Sequence, residues 1–94
     1  MENKIKELQK IINIKFNDAD ILIQAITHKS YNSKINYETL EFLGDRVLGL
    51  TISNKLLSMY PNEKVGILDK KFSNLVNKKI CYKIGIKLKL DEFV

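Results

Sequence analysis

Glu38, Glu41 and Asp45 are the residues of this chain whose types and spacing could do chemistry. Read as a helix, the stretch Tyr37–Tyr60 places them on one strip. Offsets of three and seven residues, at ~100° per residue, leave the three carboxylates within about 60° of one another. Glu41 and Asp45 stand one turn apart, so their side chains meet, and like charges at that spacing repel. Burial would deepen the repulsion. A divalent cation with oxygen ligands is the simplest compensation. Two structural readings stand beside it. Acids in a first helical turn answer the positive end of the helix dipole, which accounts for Glu38 and Glu41 but not for Asp45, two turns in. Arg46 could instead neutralise one carboxylate.

The element that must position the strip is apolar on most sides. Leu40, Leu43, Val47 and Leu50 make one row; Phe42, Ile52, Leu56 and Met59 make a second. Such a helix is normally the buried centre of its domain. Pro61 ends it, because the residue before a proline avoids the helical region. Before it, Ile5, Leu8, Ile11 and Ile12 predict an amphipathic helix over Asn3–Ile14. Asn17 is the expected N-cap of a second helix, with Asp18 and Asp20 in its first turn, running to about Lys29. Ser30–Asn36 reads as a loop and Asn62–Gly66 as a turn. Leu68, Phe72, Leu75, Val76, Ile80 and Ile84 predict a fourth helix over Ile67–Ile84, with Gly85 as its C-terminal stop. Ile86, Leu88 and Leu90 alternate with lysines but have no strand partner, so they are expected to be extended or to form one turn packed on the helices.

Composition narrows the partners. The chain has 94 residues, 45% of them hydrophobic, which suits one small globular domain or part of one. Its formal net charge is +5 and its pI ≈ 9.3, which favours an anionic partner, nucleic acid being the commonest. All but one of the 16 basic residues are lysines, a composition for phosphate contact more than for base reading. Lys70, Lys71 and Lys78 are the candidate RNA-backbone contacts on the fourth helix, against a plain solvated face as the alternative. One cysteine, Cys81, excludes an internal disulfide and a cysteine-based zinc site. Its setting between Ile80 and Tyr82 reads as a small core residue, since the single histidine, His28, is remote. With no signal peptide or membrane-length apolar run in view, a cytoplasmic protein without membrane contact is expected.

The run Asn36-Tyr37-Glu38-Thr39-Leu40-Glu41-Phe42-Leu43-Gly44-Asp45-Arg46-Val47-Leu48 resembles the signature of the ribonuclease III family, N-E-R-L-E-F-L-G-D-[SAR]-[VI]-L. Ala25-Ile26-Thr27-His28-Lys29-Ser30-Tyr31 is similar to the family's A-L-T-H-x-S-Y segment. Tyr60-Pro61, Gly66-Ile67-Leu68 and Leu75-Val76-Asn77 follow in the family's order. The resemblance implies an all-α endonuclease-domain helical bundle that forms a homodimer with a valley for double-stranded RNA. It implies metal-assisted attack of water on a phosphodiester, leaving a 3′-hydroxyl and a 5′-phosphate, with Mg²⁺ as the usual ion, in the service of rRNA and mRNA processing. By position it makes Glu41 a metal ligand, Asp45 a catalytic carboxylate of the metal site, and Glu38 a supporting residue. His28 carries no catalytic role by this resemblance and is read as structural. Gly44 is read as leaving room for RNA or a partner subunit.

Two departures qualify it. After Gly66 the acids are Asp69, Asp91 and Glu92, none of which matches the family's later D-x-x-E pair, and Val65 stands where many members carry a Glu, with Glu63 nearby. The chain is therefore expected to be a C-terminally truncated, partial catalytic domain over residues 1–94, without the family's double-stranded-RNA-binding domain. Alone, it is expected to cut poorly or not at all, and to self-associate through exposed apolar surface. The competing reading is a non-catalytic dimerisation and RNA-binding module of the same fold. A DNA-binding helical domain has no recognition-helix signature and a single arginine behind it.

Overall fold

The computed structural model describes residues 2–93, and every regular element among them is helical. α1 spans Glu2–Ile12, α2 Ala19–Ala25, α3 Glu38–Met59, α4 Val65–Leu75 and α5 Lys78–Lys87, with one 3-10 turn at Leu90–Glu92. The all-α expectation holds for these residues.

α1 forms because its apolar residues recur on one face, and it buries Ile5 and Leu8 from that face. α2 is started by Asp18, whose carboxylate accepts the Asp20 N–H at 3.0 Å, so the cap lies one residue beyond the expected Asn17. It stops at Ala25, short of Lys29: the Ile26 and Thr27 N–H groups bond three residues back, to the Ile23 and Gln24 carbonyls at 3.2 and 3.1 Å, which tightens the last turn and closes the helix. Leu22 of α2, Ile5 and Leu8 of α1, and Phe93 form the buried core, with Ile12, Phe16, Ile23, Ile26 and Leu90 packed around it. The C-terminal segment therefore makes one turn and seats Phe93 against the first two helices.

The fourth predicted helix is two helices. Asn77 breaks it: its side-chain oxygen accepts the Ile80 N–H at 2.9 Å while its amide donates to the Ser73 carbonyl at 2.8 Å. One side chain thus closes α4 and caps α5, which a continuous apolar periodicity does not disclose. Gly85 is not a stop; α5 continues to Lys87, and the left-handed residue is Lys89, at φ 58°.

The largest correction concerns α3. It is not the buried centre: Leu56 is its one buried residue, and Phe42, Leu43, Val47 and Leu50 are all more than half exposed. The reason is a shortage of neighbours. α2 touches it at one end and α4 packs along its second half, where Phe72 lies 3.6 Å from the place a Cβ on Gly49 would take. A 22-residue rod of about 33 Å is too long for those two partners to cover. The radius of gyration is accordingly 15.8 Å, against about 12 Å for a compact domain of this length.

Candidate functional site

The start of α3 is held by a hydrogen-bonded loop. Asn36, a buried polar residue, accepts the Glu38 N–H on its Oδ1 at 3.0 Å and donates from Nδ2 to the Asn32 carbonyl at 3.0 Å. Its own carbonyl accepts Gln24 Nε2 at 3.1 Å, which ties α2 to the helix start. The Tyr37 N–H reaches the Thr27 carbonyl at 3.0 Å, and the rings of Tyr37 and His28 stack with centroids 5.9 Å apart. His28 Nδ1 accepts the Ser30 N–H at 3.1 Å and meets its hydroxyl at 2.8 Å, local bonds of the kind expected for a structural histidine. Each donor and acceptor here fixes the direction in which α3 leaves the loop, and with it the acidic strip.

Glu38, Glu41 and Asp45 line one open cleft of ≈ 580 Å³ together with Phe42 and Arg46 of α3. The opposite wall is Val76, Asn77, Lys78 and Cys81, brought there by the break between α4 and α5. The three acids thus share one cavity, as their spacing on a helix predicts. Among the described residues, however, no three histidine, cysteine or acidic side chains stand close enough to hold a metal ion jointly. Lys29 lies 3.7 Å from Glu38, and Arg46 3.9 Å from Asp45, with all four side chains more than half exposed. Exposed pairs of this kind contribute at most about 1 kcal/mol, so solvent and ligands compete with them readily. Arg46 is committed elsewhere: it donates to the Phe42 carbonyl at 3.0 Å and lies 3.7 Å over the Phe42 ring. Glu41 enters no ion pair among the described residues.

The proposed basic contacts separate. Lys78 faces the acids across the cleft. Lys71 lies 4.4 Å over the Tyr60 ring, in a different groove with Leu56 and Met59, and Lys70 lines neither. Cys81 is exposed, so the small core residue read from its neighbours is corrected: the helix turns Cys81 into the cleft and not towards the core. At Gly44 a Cβ would meet nothing within 4 Å, so packing within the described chain does not demand a glycine there. Asn36 and Asn77 are the positioning residues that periodicity passes over. Their signal is an asparagine one or two residues before a helical run.

The family model for ribonuclease-III-like proteins matches residues 18–94. The chain belongs to the ribonuclease III family. Ribonuclease 3 of Pelagibacter ubique is 54% identical over 92 residues, covering 98% of this chain and 41% of that protein. Ribonuclease 3 of a Sulfurovum species is 38% identical over 92 residues, covering 98% and 41%. Ribonuclease 3 of a Nitratiruptor species is 37% identical over 91 residues, covering 97% and 40%. The chain therefore spans about two fifths of the length of the ribonuclease 3 proteins it matches. No helix among the described residues is long and apolar enough to cross a membrane.

Proposed function

We propose that residues 1–94 form part of the endonuclease domain of a ribonuclease III, which cleaves double-stranded RNA in rRNA and mRNA processing in the cytoplasm, working as a homodimer. The observation that carries this reading is the shared cleft of Glu38, Glu41 and Asp45 on a family signature helix.

The donor set suits Mg²⁺, a hard cation that takes carboxylate oxygens and keeps several waters. Glu41 and Asp45, one turn apart on a rigid helix, are the two that would hold it, with Glu38 supporting at the cleft's edge beside Lys29. When bound, the ion lowers the pKa of an attached water and offsets charge on the attacked phosphate. Glu41 and Asp45 would hold the ion in the cleft through their carboxylate oxygens, next to the wall that carries Lys78. Lys78 on the facing wall supplies a positive contact for the RNA backbone, with Lys70 and Lys71 as outlying backbone contacts. Two carboxylates make a weak site, so the chain alone is expected to cut slowly.

The test is incubation with labelled duplex RNA and Mg²⁺. Slow cleavage abolished by Glu41→Gln and by Asp45→Asn supports the enzyme; cleavage unaffected by both overturns it. The second reading is a non-catalytic dimerisation and RNA-binding module. It is favoured by the lack, among the described residues, of three metal-ligating side chains in reach of one ion. Salt-sensitive binding indifferent to Mg²⁺, without products, would select it.

A further inference from the structure

A second charged feature lies on α1, away from the carboxylate cleft. A groove of ≈ 500 Å³ is lined by Lys6, Gln9, Lys10, Asn13, Ile14 and Lys15. The backbone builds it. Asn13 takes the left-handed conformation at φ 56°, and the Ile14 N–H bonds back to the Gln9 carbonyl at 3.1 Å, which ends α1 and reverses the chain. Gln9 Oε1 then accepts the Phe16 N–H at 2.7 Å, pinning the returning segment. The result brings Lys15 beside Lys6 and Lys10, which are themselves one turn apart, about 6 Å along the axis.

None of the three lysines enters an ion pair among the described residues, and no acid lines the groove. Lys6 also borders a neighbouring groove with Glu2 and Asp20, neither within ion-pair distance of it. The α1 dipole accounts for Lys10, at the helix's last turn, but not for Lys6 in its first half. Three like charges with no counterion in the described fold fit an external polyanion. Ile14 is the groove's one apolar wall, and protein interfaces are depleted in lysine, so the chemistry favours a phosphate backbone over an acidic protein.

We propose that the α1 groove of Lys6, Lys10 and Lys15 is a second RNA-contact surface, holding duplex RNA by its phosphates outside the carboxylate cleft. It rests on the reading that the chain binds RNA. It adds to that reading a surface beyond the segment the family model matches, which begins at residue 18.

The test measures duplex-RNA affinity of the full chain across a salt series, without Mg²⁺. Three proteins are compared: wild type, Lys6→Gln/Lys10→Gln/Lys15→Gln, and a control with equal charge loss, Lys55→Gln/Lys83→Gln/Lys87→Gln. All six lysines are exposed, and thermal melts confirm that both variants fold. The expected result is a fall of about 2–3 in the slope of log affinity against log salt for the α1 variant, with a clearly smaller fall for the control. An unchanged slope in the α1 variant, or equal falls in both, overturns the proposal while leaving RNA binding intact. A wild type that binds no duplex RNA removes the underlying reading as well. Polyglutamate binding lost in parallel with RNA binding would show a general polyanion surface and overturn the assignment to RNA.

Discussion

Asn36 and Glu38 are joined by a 3.0 Å hydrogen bond from the Glu38 N–H to the Asn36 side-chain oxygen, at the point where the acidic strip begins. The same side-chain amide donates to Asn32, so one buried side chain both closes the loop and starts the helix. Asn36→Ala leaves these partners without it. The expected cost is about 1–2 kcal/mol, a fall in Tm of roughly 4–16 °C, read by circular dichroism. An unchanged melt would show that the loop holds α3 without this residue.

Gly44 lies within α3, where glycine costs ~1 kcal/mol relative to alanine and where a Cβ would meet open space. Gly44→Ala is therefore expected to raise the Tm of the isolated chain by about 4–8 °C. If RNA or a partner subunit approaches α3 there, the same variant weakens that association. Stabilisation with association unchanged would remove the reason given for the glycine.

The core is small. Leu8 is 3% exposed and packs with Ile5, Leu22 and Phe93. Leu8→Ala is expected to cost about 2–5 kcal/mol, a large share of a total on the order of 5–14 kcal/mol for a chain of this length. Urea titration should show the midpoint drop sharply. A loss below about 1 kcal/mol would mean that this cluster is not what holds α1, α2 and the C-terminal turn together.

Exposed apolar surface on α3 and α4 gives the fourth prediction. Leu50 and Val65 are each 73% exposed, among many large apolar side chains open to water. The chain is expected to self-associate with rising concentration, seen in sedimentation velocity. Leu50→Lys and Val65→Lys together should shift it towards monomer while leaving the melt within about 0.5 kcal/mol of wild type. A wild type that stays monomeric throughout contradicts this.

Periodicity carries the helices and the strip because both depend on spacing within one segment. Glu38, Glu41 and Asp45 share a cleft as the spacing of a helix requires. Burial is different: it depends on what other segments supply, so the apolar rows of α3 do not reveal that Val47 and Leu50 stand open. The division at Asn77 is hidden because Val76 and Ile80 continue the apolar pattern across it, while the capping geometry lies in a single side chain. The place of Cys81 is hidden for the same reason, since α5 takes its own axis after the break and turns the thiol to the acids.

The most direct check on the cleft is Mn²⁺ binding to the chain, followed by electron paramagnetic resonance, with Mn²⁺ standing in for Mg²⁺. One saturable ion is expected in the wild type, with affinity reduced about tenfold or more by Glu41→Gln and by Asp45→Asn and less by Glu38→Gln. Binding that persists undiminished in both the Glu41 and Asp45 variants would contradict the assignment of those two carboxylates as the metal's seat.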